Sequence, residues 1–315
     1  MFDKRLQGLF WCMVFVILDA IQAVYFGGVL QEVDGFLLGG LVFGLSASAC
    51  ILWSALFRPK QFRIARMNLA AVIGLNVTAA GGWLFYLLAV QMIEPAVAFT
   101  IFAGSVPLVT IAAAYFGVPE AEAPRNRQEL IGNTILVVGL LSLAAITLLG
   151  LSGFVRGNII AAATGLAFSL VAGVLITGML LYGQRLDRVG IDPVAQFGLR
   201  FPLFVLLCVV GVVLGIDRKG PMEIDVIFIP VAIGFVVLAF PIYAVQKAIS
   251  LTTSLTIAAL AGTAPLFVFL FQILEGRVEL SFYTTIGLCI CFLGSIFGAL
   301  GAASEDRRKA LKGGA

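Results

Sequence analysis

AGSVPL at 103–108 and AGTAPL at 261–266 are nearly the same apolar hexapeptide, set 158 positions apart in a chain of 315 residues. The offset is close to half the chain, so the pair reads as one turn of structure used once in each of two halves. Two more pairs fall in the same order. GLVFGL (40–45) returns as GLRFPL (198–203), again 158 apart, and IGNTILVVG (131–139) returns as IGLCICFLG (286–294), 155 apart. A single match between apolar segments is weak. Three in one order at nearly constant offset describe an internal repeat, with a first half over 1–150 and a second over 151–315.

Composition names the solvent. The chain is 61% hydrophobic and 12% charged, against about 25% charged in a soluble domain, and its mean hydropathy is +1.09. So much apolar surface calls for lipid. The net charge of +3 and the lack of a basic patch with interleaved aromatics argue against a nucleic-acid partner. There is no His, which removes the commonest general base and a major metal ligand. Cys12, Cys50, Cys208, Cys289 and Cys291 all sit inside apolar runs without metal-ligand spacing, as small packing residues do. No cofactor, no metal and no enzymatic activity are expected.

A helix needs about 20 apolar residues to cross the hydrocarbon core. Eight stretches carry no charge: 35–57, 67–93, 95–119, 130–155, 157–184, 226–246, 248–274 and 280–304. Two more are each interrupted once, 6–31 by Asp19 and 193–216 by Arg200. The reading is an all-α integral membrane protein of ten transmembrane spans. The first span is too long for a signal-peptide core, lacks a small-x-small cleavage site, and is expected to be retained.

Basic residues orient it. With a cytoplasmic N-terminus, fifteen fall inside: Lys4, Arg5, Arg58, Lys60, Arg63, Arg66, Arg125, Arg127, Arg185, Arg188, Lys247, Arg307, Arg308, Lys309 and Lys312. Four fall outside: Arg156, Arg218, Lys219 and Arg277. The positive-inside rule then puts both termini in the cytoplasm, with EDRRKALK (305–312) as a solvated tail near anionic lipid. Five spans per half is an odd number. The second half therefore starts on the opposite side of the membrane, and the two five-helix repeats are inverted. That is an architecture of secondary transporters.

The stretches FYLLAVQMIEPAVAFTIFAGSVPL (85–108) with Glu120 beyond it, IYAVQKAISLTTSLTIAALAGTAPLFVFLFQILE (242–275), and LRF (199–201) together resemble the EamA-type members of the drug/metabolite transporter superfamily. The resemblance spans essentially the whole chain. It implies a ten-helix exporter or facilitator of small metabolites, often amino acids, in the bacterial inner (plasma) membrane, with a central cavity lined by spans 1, 3, 4, 6, 8 and 9.

Asp19 is the most informative residue. It lies about twelve residues into span 1, near the midplane at 1.5 Å per residue, where a charged Asp costs roughly 2.5–3.5 kcal/mol on insertion scales. Gln22 follows at i+3. A cavity carboxylate that binds a cationic group or a proton is one reading; a neutral or paired structural Asp is the other. Asn76, Trp83 and Tyr86 share a face of span 3 as a hydrogen-bonding and aromatic wall, with an interfacial aromatic belt as the alternative for the last two. Tyr243, Gln246 and Lys247 mark span 8. Lys247 would grip a carboxylate, yet it also sits where the span ends, and a snorkelling cation at a helix C-terminus is favourable by itself. Arg200 reads as structural for the same reason. Pro107 and Pro265 each remove a backbone hydrogen bond inside a span, and the freed carbonyls either line a cavity or mark a packing kink. Thr100, Ser105 and Thr263 are hydroxyls that line a substrate path or bond their own backbone. Gly165, Ser169, Gly173 and Thr177, like Gly294 and Gly298, form small-residue stripes for close helix approach.

The leading expectation is a secondary transporter of small polar metabolites, amino acids or related compounds, exporting by alternating access with protons as a possible coupling ion. Cationic or quaternary amines are the alternative substrate. A channel, and an intramembrane enzyme or lipid-handling scaffold, are the readings from other classes. The expected partners are the bilayer and a small molecule, with a monomer or homodimer as the assembly.

Overall fold

The computed structural model describes residues 4–217, 219–220, 223–251, 260–276 and 278–313. Its helices are α1 (Lys4–Glu32), α2 (Gly35–Phe57), α3 (Lys60–Met67), α4 (Leu69–Met92), α5 (Pro95–Tyr115), α6 (Arg127–Leu148), α7 (Ile159–Arg188), α8 (Pro193–Arg200), α9 (Pro202–Val213), α10 (Ile224–Leu251), α11 (Ala264–Glu275) and α12 (Phe282–Gly313). Among the described residues there are no strands, only one isolated antiparallel bridge between Ile93 and Val155. The described architecture is helical, and a helix satisfies its own backbone groups where they find no water.

Among the described residues, eight helices are long and apolar enough to cross a bilayer, counting α8 and α9 together as one (Pro193–Val213). Asp225–Val237 and Ala264–Glu275 are shorter apolar helices. Large apolar side chains such as Leu56, Leu149, Ile160, Val213 and Leu293 are exposed around the outside, the surface that lipid covers.

Polar caps start the helices. Asp34, Asn126, Asn158 and Asp192 accept from first-turn amides of α2, α6, α7 and α8. Contacts between junctions define two ends of the bundle. At the lower end, Gln61 Nε2 donates to Gly190 O, Arg58 pairs with Asp192, and Asn126 Nδ2 donates to Gly301 O at 2.6 Å. At the upper end, Arg156 N donates to Met92 O and Ser281 Oγ to Leu151 O. Lys219 Nζ donates there to Leu30 O and Val33 O, the orphan carbonyls ending α1, and pairs with Asp217, which accepts from Gly35 N at 2.7 Å.

The sequence reading differs from the structure at four places. Residues 60–67 form a short basic helix, α3, on the lower end where only a loop is expected. Helix α12 continues through EDRRKALK to Gly313, because those residues are good helix formers with no Gly or Pro before the end. The 193–216 stretch is two helices, broken at Phe201 because Pro202 has no N–H to continue the ladder. The proline pair is also unequal. Helix α5 runs on through Pro107, whereas Pro265 lies in the first turn of α11. The chain turns at Gly262–Thr263, where Thr263 N bonds Leu260 O at i−3.

Close helix approach depends on the small residues. A Cβ on Gly173 would fall 1.7 Å from Ser105 Oγ, and one on Gly132 would fall 2.2 Å from the backbone nitrogen of Gly298. These positions bring α7 against α5 and α6 against α12 with almost no side chain between them. At the centre, Phe43 packs on Phe201, Trp83 and Phe204 with ring centroids 4.5, 4.7 and 4.9 Å apart.

The break at Phe201 is braced from α4. Asn76 Nδ2 donates to Leu199 O at 2.5 Å, and its Oδ1 accepts from Leu203 N at 3.2 Å. One amide side chain thus satisfies a carbonyl and an N–H on either side of the break. Asn76→Ala leaves both groups without this partner, at about 1–3 kcal/mol for each buried group left unsatisfied. Thermal unfolding in detergent is expected to show a clear drop in Tm, larger than that of Thr134→Ala on the exposed face of α6; an unchanged Tm refutes the brace.

Candidate functional site

A cavity of about 550 Å³ lies between α1, α5, α6, α7, α11 and α12. It runs from Asp19 and Thr100, deep in the bundle, to Glu129 and Ala302 near the lower end. Phe99, Phe102, Ala103 and Pro107 form the α5 wall, Gly262 and Pro265 the α11 wall, and Cys291, Ser295 and Gly298 the α12 wall. The short residues on α11 and α12 make the space. The turn at Gly262–Thr263 ends one helix segment against it, and the glycine stripe of α12 leaves its wall without bulk.

Asp19 is half-buried on this wall. No hydrogen bond or ion pair joins its carboxylate to the described residues. Thr100 is buried beside the cavity, and its hydroxyl donates to Ala96 O at 2.5 Å. Of the residues expected to bind substrate, Asp19 and Thr100 reach the cavity, and Pro107 and Pro265 reach it as backbone-shaping residues. The others are elsewhere. Gln22 is buried but does not line it. Asn76 is occupied at the α8–α9 break. Trp83 and Tyr86 belong to the aromatic core. Tyr86 stacks on the cavity residue Phe102 with centroids 4.8 Å apart and lies within electrostatic range of Asp19. Its hydroxyl and the Trp83 indole N–H are buried without hydrogen-bond partners. Lys247 is exposed on α10 and is not on the wall. Tyr243 and Gln246 also fall on α10, but their side chains lie outside the described ones. Ser105 and Thr263 bond their own backbone, to Phe102 O at 2.9 Å and Leu260 O at 2.6 Å.

Two polar features were not foreseen. Glu129 and Asn133 put a carboxylate and an amide at the lower mouth. The signal for them was a helix N-terminus, Asn126 followed by Glu129, which reads as a cap and does cap: Asn126 Oδ1 accepts from Glu129 N, and Glu129 Oε2 from Arg125 N.

The second is Glu94, whose charge only marked a boundary between uncharged stretches. It is fully buried at the start of α5. One carboxylate oxygen accepts from Gly153 N at 2.9 Å and from Thr284 Oγ1 at 3.1 Å. The other accepts from Gln272 Nε2, while Gln272 Oε1 accepts from Ala96 N at 3.0 Å. Burial holds the Glu94 carboxyl above its usual range, against the smaller opposing pull of the Gly153, Gln272 and Thr284 donors.

No family model matches the chain, and no curated protein matches it. Solved structures do. A crystal structure of a protein, 17% identical, superposes with a TM-score of 0.59 over 97% of this chain and 98% of its own. At that identity the likeness shows a shared fold over the whole length.

Proposed function

We propose that this chain is a secondary transporter that moves a small polar metabolite by alternating access, an EamA-type member of the drug/metabolite transporter superfamily. The observation that carries this reading is the unpaired Asp19 carboxylate on the wall of a cavity that runs from the interior toward the lower end of the bundle. A carboxylate without a protein partner at such a depth is costly, and it is retained where it meets a substrate, an ion or a proton.

Inverted five-helix repeats give this cavity its mechanism, and several close approaches support them. Under the 155-residue offset Gly132 corresponds to Gly287, and Gly139 to Gly294. A Cβ on Gly132 would meet Gly298 and one on Gly287 would meet Leu143; one on Gly139 would meet Cys291 and one on Gly294 would meet Leu136. In each pair the neighbours exchange under the same offset. Phe43 and Phe201, counterparts at 158, touch each other. Ser105 and Thr263 make the same i−3 bond two residues before their prolines. On this reading the α10 helix and the 248–274 stretch that includes α11 are spans 8 and 9, which bring the eight long helices to ten.

The lower end is the cytoplasmic one on this reading. Arg58, Lys60, Arg63, Arg66, Arg125, Arg127, Arg185 and Arg188 all lie in its connections or in the helix turns that border them, as the positive-inside rule requires. The cavity then opens inward and takes its cargo from the cytoplasm, which suits export across a bacterial inner membrane. A reporter fused after Ala315 is expected to read cytoplasmic, and a reporter inserted after Arg156 external; the reverse pattern overturns the orientation.

The wall favours a cationic group on the cargo. Asp19 and Glu129 are the charged residues lining it, and no Lys or Arg lines it among the described residues. Phe99 and Phe102 add ring faces that attract a cation. An amine, or the amino group of an amino acid, fits this wall better than an anion. Asp19→Asn is expected to weaken binding of such a cargo by about 1.5–3 kcal/mol, the scale of a hydrogen bond to a charged group. If Asp19 carries the coupling proton instead, the variant keeps binding and counterflow but loses transport driven by a pH gradient. Calorimetry on purified protein and flux in proteoliposomes separate the two, and wild-type behaviour in both assays removes Asp19 from the site.

A further inference from the structure

Glu94 sits directly above the cavity. The wall of α5 begins at Phe99 and Thr100, and Glu94 and Ala96 lie one turn higher on the same strand of chain. On α11, Pro265 lines the cavity, and Gln272 lies two turns above it. The Glu94–Gln272 and Ala96–Gln272 bonds therefore close the roof between α5 and α11. The same carboxylate also holds the chain before α7, through Gly153, and the first turn of α12, through Thr284.

This use of the side chain is unusual for its position. Glu94 is the N-cap residue of α5 and Pro95 stands at N1, but the carboxylate makes no capping bond to its own helix. All of its bonds are to residues 59 or more positions away. A buried carboxylate without a cation is an expensive way to join helices, since apolar packing does the same at less cost. What it offers is a joint that loses most of its strength as soon as water reaches it, because the charge is then hydrated.

We propose that Glu94 bolts the upper gate of the cavity: its bonds to Gly153, Gln272 and Thr284 hold α5, α11, α12 and the lead-in to α7 together, and exposure of the cavity to the upper side requires them to break. This rests on the alternating-access reading above, and breaking one bond admits water to the remaining two, so the joint opens as a unit. The Lys219–Asp217 pair at the same end joins α1, α2 and the α9–α10 connection. It lies away from the α5–α11 roof and is no part of the bolt.

The test uses the full-length chain with its five native cysteines replaced by Ala or Ser and a single reporter, Ala103→Cys, on the cavity wall. Sealed vesicles of either orientation are treated with a membrane-impermeant maleimide. In the parent, labelling is expected to be fast from the lower side and slow from the upper. Glu94→Ala is expected to raise the upper-side rate by about tenfold or more, the scale of losing one hydrogen bond to a charged group. Glu94→Gln, which keeps an acceptor oxygen, gives a smaller rise. If Glu94→Ala is not recovered folded, Thr284→Val decides, since it removes one donor and leaves the carboxylate, and it too must raise the upper-side rate. Unchanged upper-side labelling in the folded variants, with the parent still labelled from the lower side, overturns the bolt and leaves the transporter reading standing. A parent labelled equally from both sides, or from neither, overturns alternating access itself.

Discussion

Everything in this molecule follows from the cost of an unpaired backbone group in hydrocarbon. Each such group costs several kcal/mol, so the chain is helical wherever it can be, and each interruption must bring its own partners. The interruption at Phe201–Pro202 takes Asn76 from α4. The turn at Gly262–Thr263 is closed by Thr263, whose N–H and hydroxyl both bond Leu260 O. The start of α5 takes Gln272 from α11 through Ala96 N. Asn76 and Gln272 are polar residues in apolar helices, and each has its side chain committed to backbone groups at a break.

The same constraint separates what was legible in the sequence from what was not. The membrane setting and the long helices were legible, because twenty uncharged apolar residues have few alternatives. So was Asp19, because a midspan charge stands out against any background. Asn76 was legible as an exception but not as a brace, since its partners, Leu199 and Leu203, lie more than a hundred positions away and no local pattern announces them. Trp83 and Tyr86 were misplaced for a related reason. Helical spacing puts them on one face, but only the packing shows that this face meets Phe43 and Phe102. Gln272 is a single polar residue in FVFLFQILE, and Glu94 stands at the boundary between two uncharged stretches. A carboxylate at a helix boundary is ordinarily solvated; nothing in IEPAV says that Gly153 and Thr284 will close over it.

Charge placement follows a single logic. Most basic residues gather at the lower end, where they meet water and headgroups. Two carboxylates inside the bundle, Asp19 and Glu94, are treated in opposite ways. Glu94 is given donors on both oxygens and no access to solvent. Asp19 is given a cavity and no donors. A carboxylate saturated by the protein has little left to offer a ligand, whereas one with none is poised to take a cation or a proton. The difference in hydrogen bonding therefore divides them: Glu94 holds structure, and Asp19, on the transporter reading, is the one left to meet cargo.

On the transporter reading, this also explains why a nearly symmetric frame rests in one state. Two inverted repeats have no intrinsic preference for opening up or down, and a preference must come from residues that differ between halves. The repeat offset pairs Glu94 with Thr252 and Gln272 with Ala114, so the residues that join α5 to α11 above the cavity have no acidic counterpart at the other end. Closure of the lower end must then rest on contacts other than a buried carboxylate joint of this kind. A bias set by one buried carboxylate is also easy to reverse, because hydration of that single group removes it. The bonds that make the upper gate specific leave the lower gate the weaker of the two, which is the end at which the cavity emerges.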